Sequence, residues 1–253
     1  MNQPLSRSRQ PSVVWSDWLH TLALGVWGSL FLYYWRSGKL GLLIHPNYFA
    51  LTIGAGFVLL AIACLNLLKL LRGRTSRREA HTTLFSPLMM SVVLLSAAVV
   101  GLLISPKPFT SDTAIQRGLQ DTTIVTRVRP QAFRVNQSPE SRSLIDWVRT
   151  FAVYPEPDTY KGQAVSVDGF VVHNKTLPPG YFTLTRFVIT CCAADVYPVG
   201  LPVKLKSETV LAEDRWIKVQ GKMTTETLDG KRQSVIQATR IASIPEPQNP
   251  YAY

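Results

Sequence analysis

The 253-residue sequence predicts a membrane α plus β protein: three N-terminal transmembrane helices followed by a small OB-like β-barrel domain with one preceding helix. Three observations predict this class. Long uncharged apolar stretches recur three times within the first 106 residues. Charge is uneven, with 10 Lys+Arg against 2 Asp+Glu in residues 1–108 and 17 against 14 in residues 109–253. Beyond about residue 163 the apolar period changes from helical to two, the period of half-buried strands. Charged residues make up 17% of the chain, below the roughly 25% of an average soluble domain. Three cysteines exclude a disulfide-dense scaffold. A basic excess that lies mainly in the apolar half fits a lipid bilayer, and no nucleic acid partner is expected.

Residues 1–14 form a basic tail carrying Arg7 and Arg9. The membrane domain, 15–106, holds the uncharged runs Trp18 to Trp35, Leu40 to Leu68 and Ala80 to Pro106. A bilayer core takes about 20 apolar residues of helix, which places spans near 18–35, 48–68 and 84–104. Trp15, Trp18, Tyr33, Tyr34 and Trp35 bracket the first as an aromatic belt. Pro46 keeps the residues before it out of helix, and Ser86-Pro87 starts the third. The first run lacks a small-residue cleavage site before Arg36, so it reads as an uncleaved helix. Lys69, Arg72, Arg74, Arg77 and Arg78 between the second and third runs mark that loop as cytoplasmic. Three crossings then put the following domain outside the cytoplasm of a bacterial plasma membrane.

Residues 107–139 read as a polar linker, with Thr123–Val128 as a short strand. The β domain is 140–253. Its helix is predicted from Leu144, Ile145, Val148, Phe151 and Ala152, capped by Ser141 or Ser143 and ended by Pro155 and Pro157. Strands follow around Val165–Gly169, Phe187–Cys192, Val203–Leu205, Ile217–Val219 and Val235–Ile244. Turns are expected at Pro178–Gly180, Pro198–Gly200 and Asp229-Gly230. Five short strands suit a small barrel of the OB type, with a small sandwich as the competing fold. Gly169 and Gly221 mark bends.

Chemistry concentrates in Thr190-Cys191-Cys192-Ala193-Ala194-Asp195. Adjacent residues on a strand face opposite ways, so the two thiols converge only where the backbone turns. Three readings stand side by side. One is plain packing of small apolar side chains. Another is a soft or borderline metal ion held by Cys191, Cys192 and Asp195, with His173 completing the set. The third is thiol redox chemistry. No phosphate loop, nucleophile elbow, paired helical His or CxxC is present, and no catalytic residue is assigned.

The run from Arg186 through Thr190-Cys191-Cys192-Ala193-Ala194-Asp195 to Pro198-Val199-Gly200 resembles the signature of the YcgQ-like family. His45-Pro46-Asn47-Tyr48 and the ending from Pro245 to Tyr253 match it as well. The resemblance implies a permease subunit working beside a separate multi-span permease, and it carries over no functional residues. The function expected is an accessory membrane subunit rather than an enzyme, its outer β domain binding a ligand such as a soft metal or metalloid through Cys191, Cys192 and Asp195, or gating access. A membrane-anchored thiol protein and a purely structural anchor are the alternatives. An OB module for nucleic acid is opposed by the modest charge of the second half.

Overall fold

A computed structural model describes residues 11–73, 86–119, 138–206 and 210–253. The chain divides into two compact units, Met1–Lys107 and Pro108–Tyr253.

The first unit is helical. Helix α1 (Pro11–Arg36) packs against α2 (Phe49–Leu71) and α3 (Pro87–Leu103). The α1–α2 crossing is close at a glycine on each helix. A Cβ at Gly28 would lie 2.9 Å from the Gly56 carbonyl oxygen, and one at Gly56 would lie 3.3 Å from that of Gly28. Contact with α3 is polar at its edge: Trp27 Nε1 donates to the Leu94 carbonyl at 2.9 Å and Tyr34 to that of Gly101. The α3 start is built as its sequence requires, with Pro87 in the first turn and Ser86 Oγ accepting from the Met89 N–H at 3.3 Å.

The three-span expectation is corrected here. Among the described residues one helical segment, Pro46–Leu71, is long and apolar enough to cross a membrane, with 26 residues and mean hydropathy 2.3. Helix α3 has 17 residues, too few by that measure. Helix α1 has the length, but Ser16, Asp17, His20, Thr21 and its tryptophans and tyrosines dilute its apolar run. The crossing count that placed the β domain outside the cytoplasm is lost with this correction.

The second unit carries α4 (Ser111–Gln116), α5 (Leu144–Val153) and six strands: β1 (Ala164–Val172), β2 (Tyr181–Val188), β3 (Tyr197–Lys204), β4 (Trp216–Leu228), β5 (Lys231–Ser243) and β6 (Tyr251–Ala252). They form one sheet in the order β1-β4-β5-β3-β2-β6, and β1 also pairs with β2. β3–β5 and β2–β6 are parallel and the other pairs antiparallel. The expected five-stranded OB-like barrel is therefore corrected to a six-stranded mixed sheet. The extra strand comes from Tyr251–Ala252, too short to show a period of two.

Local chemistry explains the elements. Ser143, rather than Ser141, caps α5 in a reciprocal box with Asp146. That helix buries Leu144, Trp147 and Val148 against Val167, Leu184, Val199 and Val203 of the sheet. Asp229 and Gly230, both with positive φ, close the β4–β5 hairpin. Gly221 sits at the β4–β5 register shift, where a Cβ would stand 2.2 Å from the Gln237 carbonyl oxygen. At Gly169 the corresponding distance, to Thr185 O, is 2.5 Å. Pro198–Gly200, expected as a turn, lies inside β3. That strand meets β5 only at Val203 and Lys204, so Pro198 sits where no ladder donor is needed on that side. The expected Thr123–Val128 strand falls outside the described residues.

Candidate functional site: the Cys191–Cys192 turn

Strand β2 stops at Val188, three residues short of the first cysteine. Phe187 pairs with Tyr251, and the Ile189 N–H donates to the Ala252 carbonyl at 3.0 Å, so β6 guides the chain to the end of the sheet. The backbone then turns, with the Asp195 N–H donating to the Cys192 carbonyl at 3.0 Å. Val196 is buried and β3 begins at Tyr197. Both cysteines thus lie in a turn, where strand alternation does not force their side chains apart. Cys191 is exposed and Cys192 half-buried, and neither takes part in a disulfide.

Asp195 is the internal tie of this turn. Its Oδ1 accepts from the N–H groups of Thr190 at 3.3 Å and Cys192 at 3.2 Å, and its Oδ2 accepts from the Thr190 hydroxyl at 2.7 Å. Burial alone pushes this carboxyl up. The Thr190 hydroxyl and the backbone N–H groups of Cys192, Thr190 and Cys191 together outweigh it, leaving the pKa below the ordinary value. A carboxylate committed to these donors shapes the loop and has little capacity left for a metal ion.

Arg117 holds the same turn from the other side. Its Nη1 donates to the carbonyls of Val196 and, at 3.4 Å, Ala193. Its guanidinium lies 4.8 Å from the centre of the Phe109 ring, which stacks on Tyr251 and packs on Phe187. Helix α4 is fixed at its start as well: Asp214 Oδ1 accepts from the Ser111 N–H at 2.6 Å, and the Asp214 N–H donates to Val171 of β1 at 3.0 Å. Sequence reasoning placed Phe109 and Arg117 in a polar linker and missed both. A six-residue helix shows no apolar period, and Arg117 lies 76 residues before Ala193 in the chain.

His173 is placed differently from the expected ligand set. Its Nε2–H donates to the Leu211 carbonyl at 2.7 Å, in the approach to β4. Among the described residues no three His, Cys, Asp or Glu side chains group closely enough to hold a metal ion. Cys191, Cys192 and Asp195 share one turn without forming such a group, and Asp195 serves as the turn's internal acceptor.

Residues 19–120 match the DUF1980 N-terminal domain and residues 142–253 match the DUF1980 C-terminal domain. The chain carries both DUF1980 domains. No curated protein matches the chain. The two DUF1980 matches divide the chain at a different place from its compact units. Arg117 lies in the N-terminal match but packs within Pro108–Tyr253, and the turn that it grips lies in the C-terminal match.

Two other polar groups belong to the sheet surface. Glu226 accepts from Tyr181 and, at 2.8 Å, from Lys204, whose ammonium lies 5.4 Å from the Tyr181 ring centre. Arg186 pairs with Asp168 at 3.2 Å and stands over Trp216. The Arg186–Asp168 pair joins the neighbouring strands β2 and β1, as cross-strand pairs do, whereas Glu226 of β4 reaches β2 and β3, which are not its neighbours in the sheet. A cleft of about 530 Å³ opens beside the end of α5, lined by Arg142, Tyr154, Tyr160 and Gln163 among others.

Proposed function

We propose that the chain is an accessory subunit of a membrane permease, attached to the bilayer through Pro46–Leu71, whose β domain presents Cys191 and Cys192 to a thiophilic metal or metalloid. The observation that carries the ligand part is the turn itself. Two adjacent thiols stand at the end of a sheet, at least one of them open to solvent, on a loop tied from within by Asp195 and from without by Arg117. Plain packing would bury these side chains, as cysteines of protein cores usually are. The membrane part is supported by the apolar side chains that α2 leaves uncovered, Leu51, Phe57, Val58, Leu65 and Leu71 among them. One helix among the described residues qualifies as a span, and the translocating partner in this reading is a separate multi-span permease in the same bacterial plasma membrane.

Cellular metal content tests the reading. A strain lacking the gene is compared with strains restored by the full chain or by its Cys191→Ser/Cys192→Ser variant, with soft metals and metalloids measured by mass spectrometry and the protein followed in carbonate-washed membranes. The expected result is an altered level of a thiophilic element in the deletion strain. The parent chain restores it, the double variant does not, and both chains stay in the membrane fraction. Unchanged element levels, or equal restoration by the double variant, would leave the chain as a structural anchor.

A further inference from the structure

We propose that Cys191 and Cys192 together hold one monovalent soft cation of the Cu(I) class as a two-coordinate bis-thiolate. The inference rests on the thiophilic-ligand reading above and narrows it to one kind of ion.

The donor inventory decides the class. Thiolate selects soft or borderline metals over Mg²⁺, Ca²⁺ and Mn²⁺, which take oxygen. Structural zinc takes four ligands and iron–sulfur clusters take four thiolates as a rule. The turn supplies two thiols. Asp195, the one carboxylate within it, is already committed to Thr190 and Cys192, and His173 is bonded to Leu211. No larger ligand group exists among the described residues. Two thiolates alone satisfy d¹⁰ cations that accept linear two-coordination, Cu(I), Ag(I) and Hg(II), and the positive charge fixed on this turn favours the monovalent ions among them, whose complex is an anion.

Access and charge agree with this. Cys191 is exposed, so an ion or a donor protein reaches it directly. Binding replaces two S–H bonds with two S–Cu bonds, releases two protons and leaves a complex of charge −1. No oxidant or reductant is consumed, because copper enters and stays as Cu(I). The Arg117 guanidinium, fixed on the Ala193 and Val196 carbonyls, places a positive charge on the same turn and offsets that −1.

The test uses the full chain in detergent under anaerobic conditions, with Cu(I) titrated against a chromophoric Cu(I) chelator. The expected result is one Cu(I) per chain, two sulfur neighbours in X-ray absorption, displacement by Ag(I) and no displacement by Zn²⁺. Cys191→Ser and Cys192→Ser each abolish stoichiometric binding, while Cys64→Ala, altered in α2, retains it. Arg117→Ala weakens binding about tenfold, as loss of an outer-shell partner does. Circular dichroism of each variant confirms that it is folded. Zn²⁺ bound in place of Cu(I), with nitrogen or oxygen completing a site that keeps both sulfur neighbours, would overturn the two-coordinate assignment and leave the thiophilic-ligand reading standing. Absence of any bound ion with both thiols reactive would overturn both.

Discussion

Arg117 donates to the carbonyl of Val196, and this contact joins the DUF1980 N-terminal match to the turn that carries the cysteines of the C-terminal match. The guanidinium also reaches Ala193 and lies on the Phe109 ring. Removing it leaves the carbonyl of a buried residue without its donor. Arg117→Ala is expected to cost about 1–3 kcal/mol, the range for an unsatisfied buried acceptor, read from chemical denaturation of the full chain. The same variant reacts faster with maleimide at Cys192, because the turn is no longer pinned. Arg117→Lys recovers part of the loss, since an ammonium lacks the planar fork that spans two carbonyls.

Asp195 ties the turn only while it is ionised. Its folded-state pKa lies below the ordinary carboxylate value. Its contribution is therefore complete above the unfolded value of about 3.9 and is lost as pH falls through the folded one. Asp195→Asn is expected to flatten this acid limb. At neutral pH it costs less than about 1 kcal/mol, because the carboxylate is largely exposed and screened. Thermal unfolding between pH 2 and pH 7, parent against variant, checks this. A parallel acid limb in the two proteins would contradict the role assigned to the carboxylate.

At Tyr181 burial is the largest cause of a raised phenol pKa, and the Glu226 carboxylate adds to it while Lys204 opposes. Glu226→Gln removes the negative neighbour. The Tyr181 transition in an ultraviolet pH titration is expected to move down, toward the ordinary tyrosine range. Tyr181→Phe identifies that transition by abolishing it. No downward movement would mean that burial alone sets the value.

Gly221→Ala puts a methyl 2.2 Å from the Gln237 carbonyl oxygen in paired backbone. The ladder cannot yield as a flexible side chain can. The substitution is expected to destabilise the second unit by about 3 kcal/mol, the upper part of the range for overpacking. An unchanged unfolding midpoint would show that the register shift at Gln220/Gly221 relaxes freely.

Much of the β domain was legible because its strands alternate. Val165, Val167 and Gly169 in β1, and Ile217 and Val219 in β4, point inward in turn, as expected for one covered face. The strand read through Phe187–Cys192 overshot, since nothing in its alternation announces that Asp195 will draw the backbone of Thr190 and Cys192 into a turn. Pro198 looked like a turn residue because its pairing partners are not visible in sequence. The three apolar helices were legible as helices. Their capacity to cross a bilayer was overestimated, because uncharged runs of about 20 residues were read as spans, whereas the third run yields a helix of 17 residues and only Pro46–Leu71 meets both length and mean hydropathy among the described residues. The pairing of Arg117 with Val196 is a long-range contact between a short helix and a loop, and no local pattern encodes it.

The most direct measurement is elemental analysis of the full chain, purified anaerobically from membranes without chelator, combined with titration of its thiols. The parent protein is expected to carry a thiophilic element that shields both Cys191 and Cys192 from reagent, and Cys191→Ser/Cys192→Ser is expected to carry none. A parent protein with no bound element and both thiols fully reactive would contradict the assignment of this turn as a ligand site.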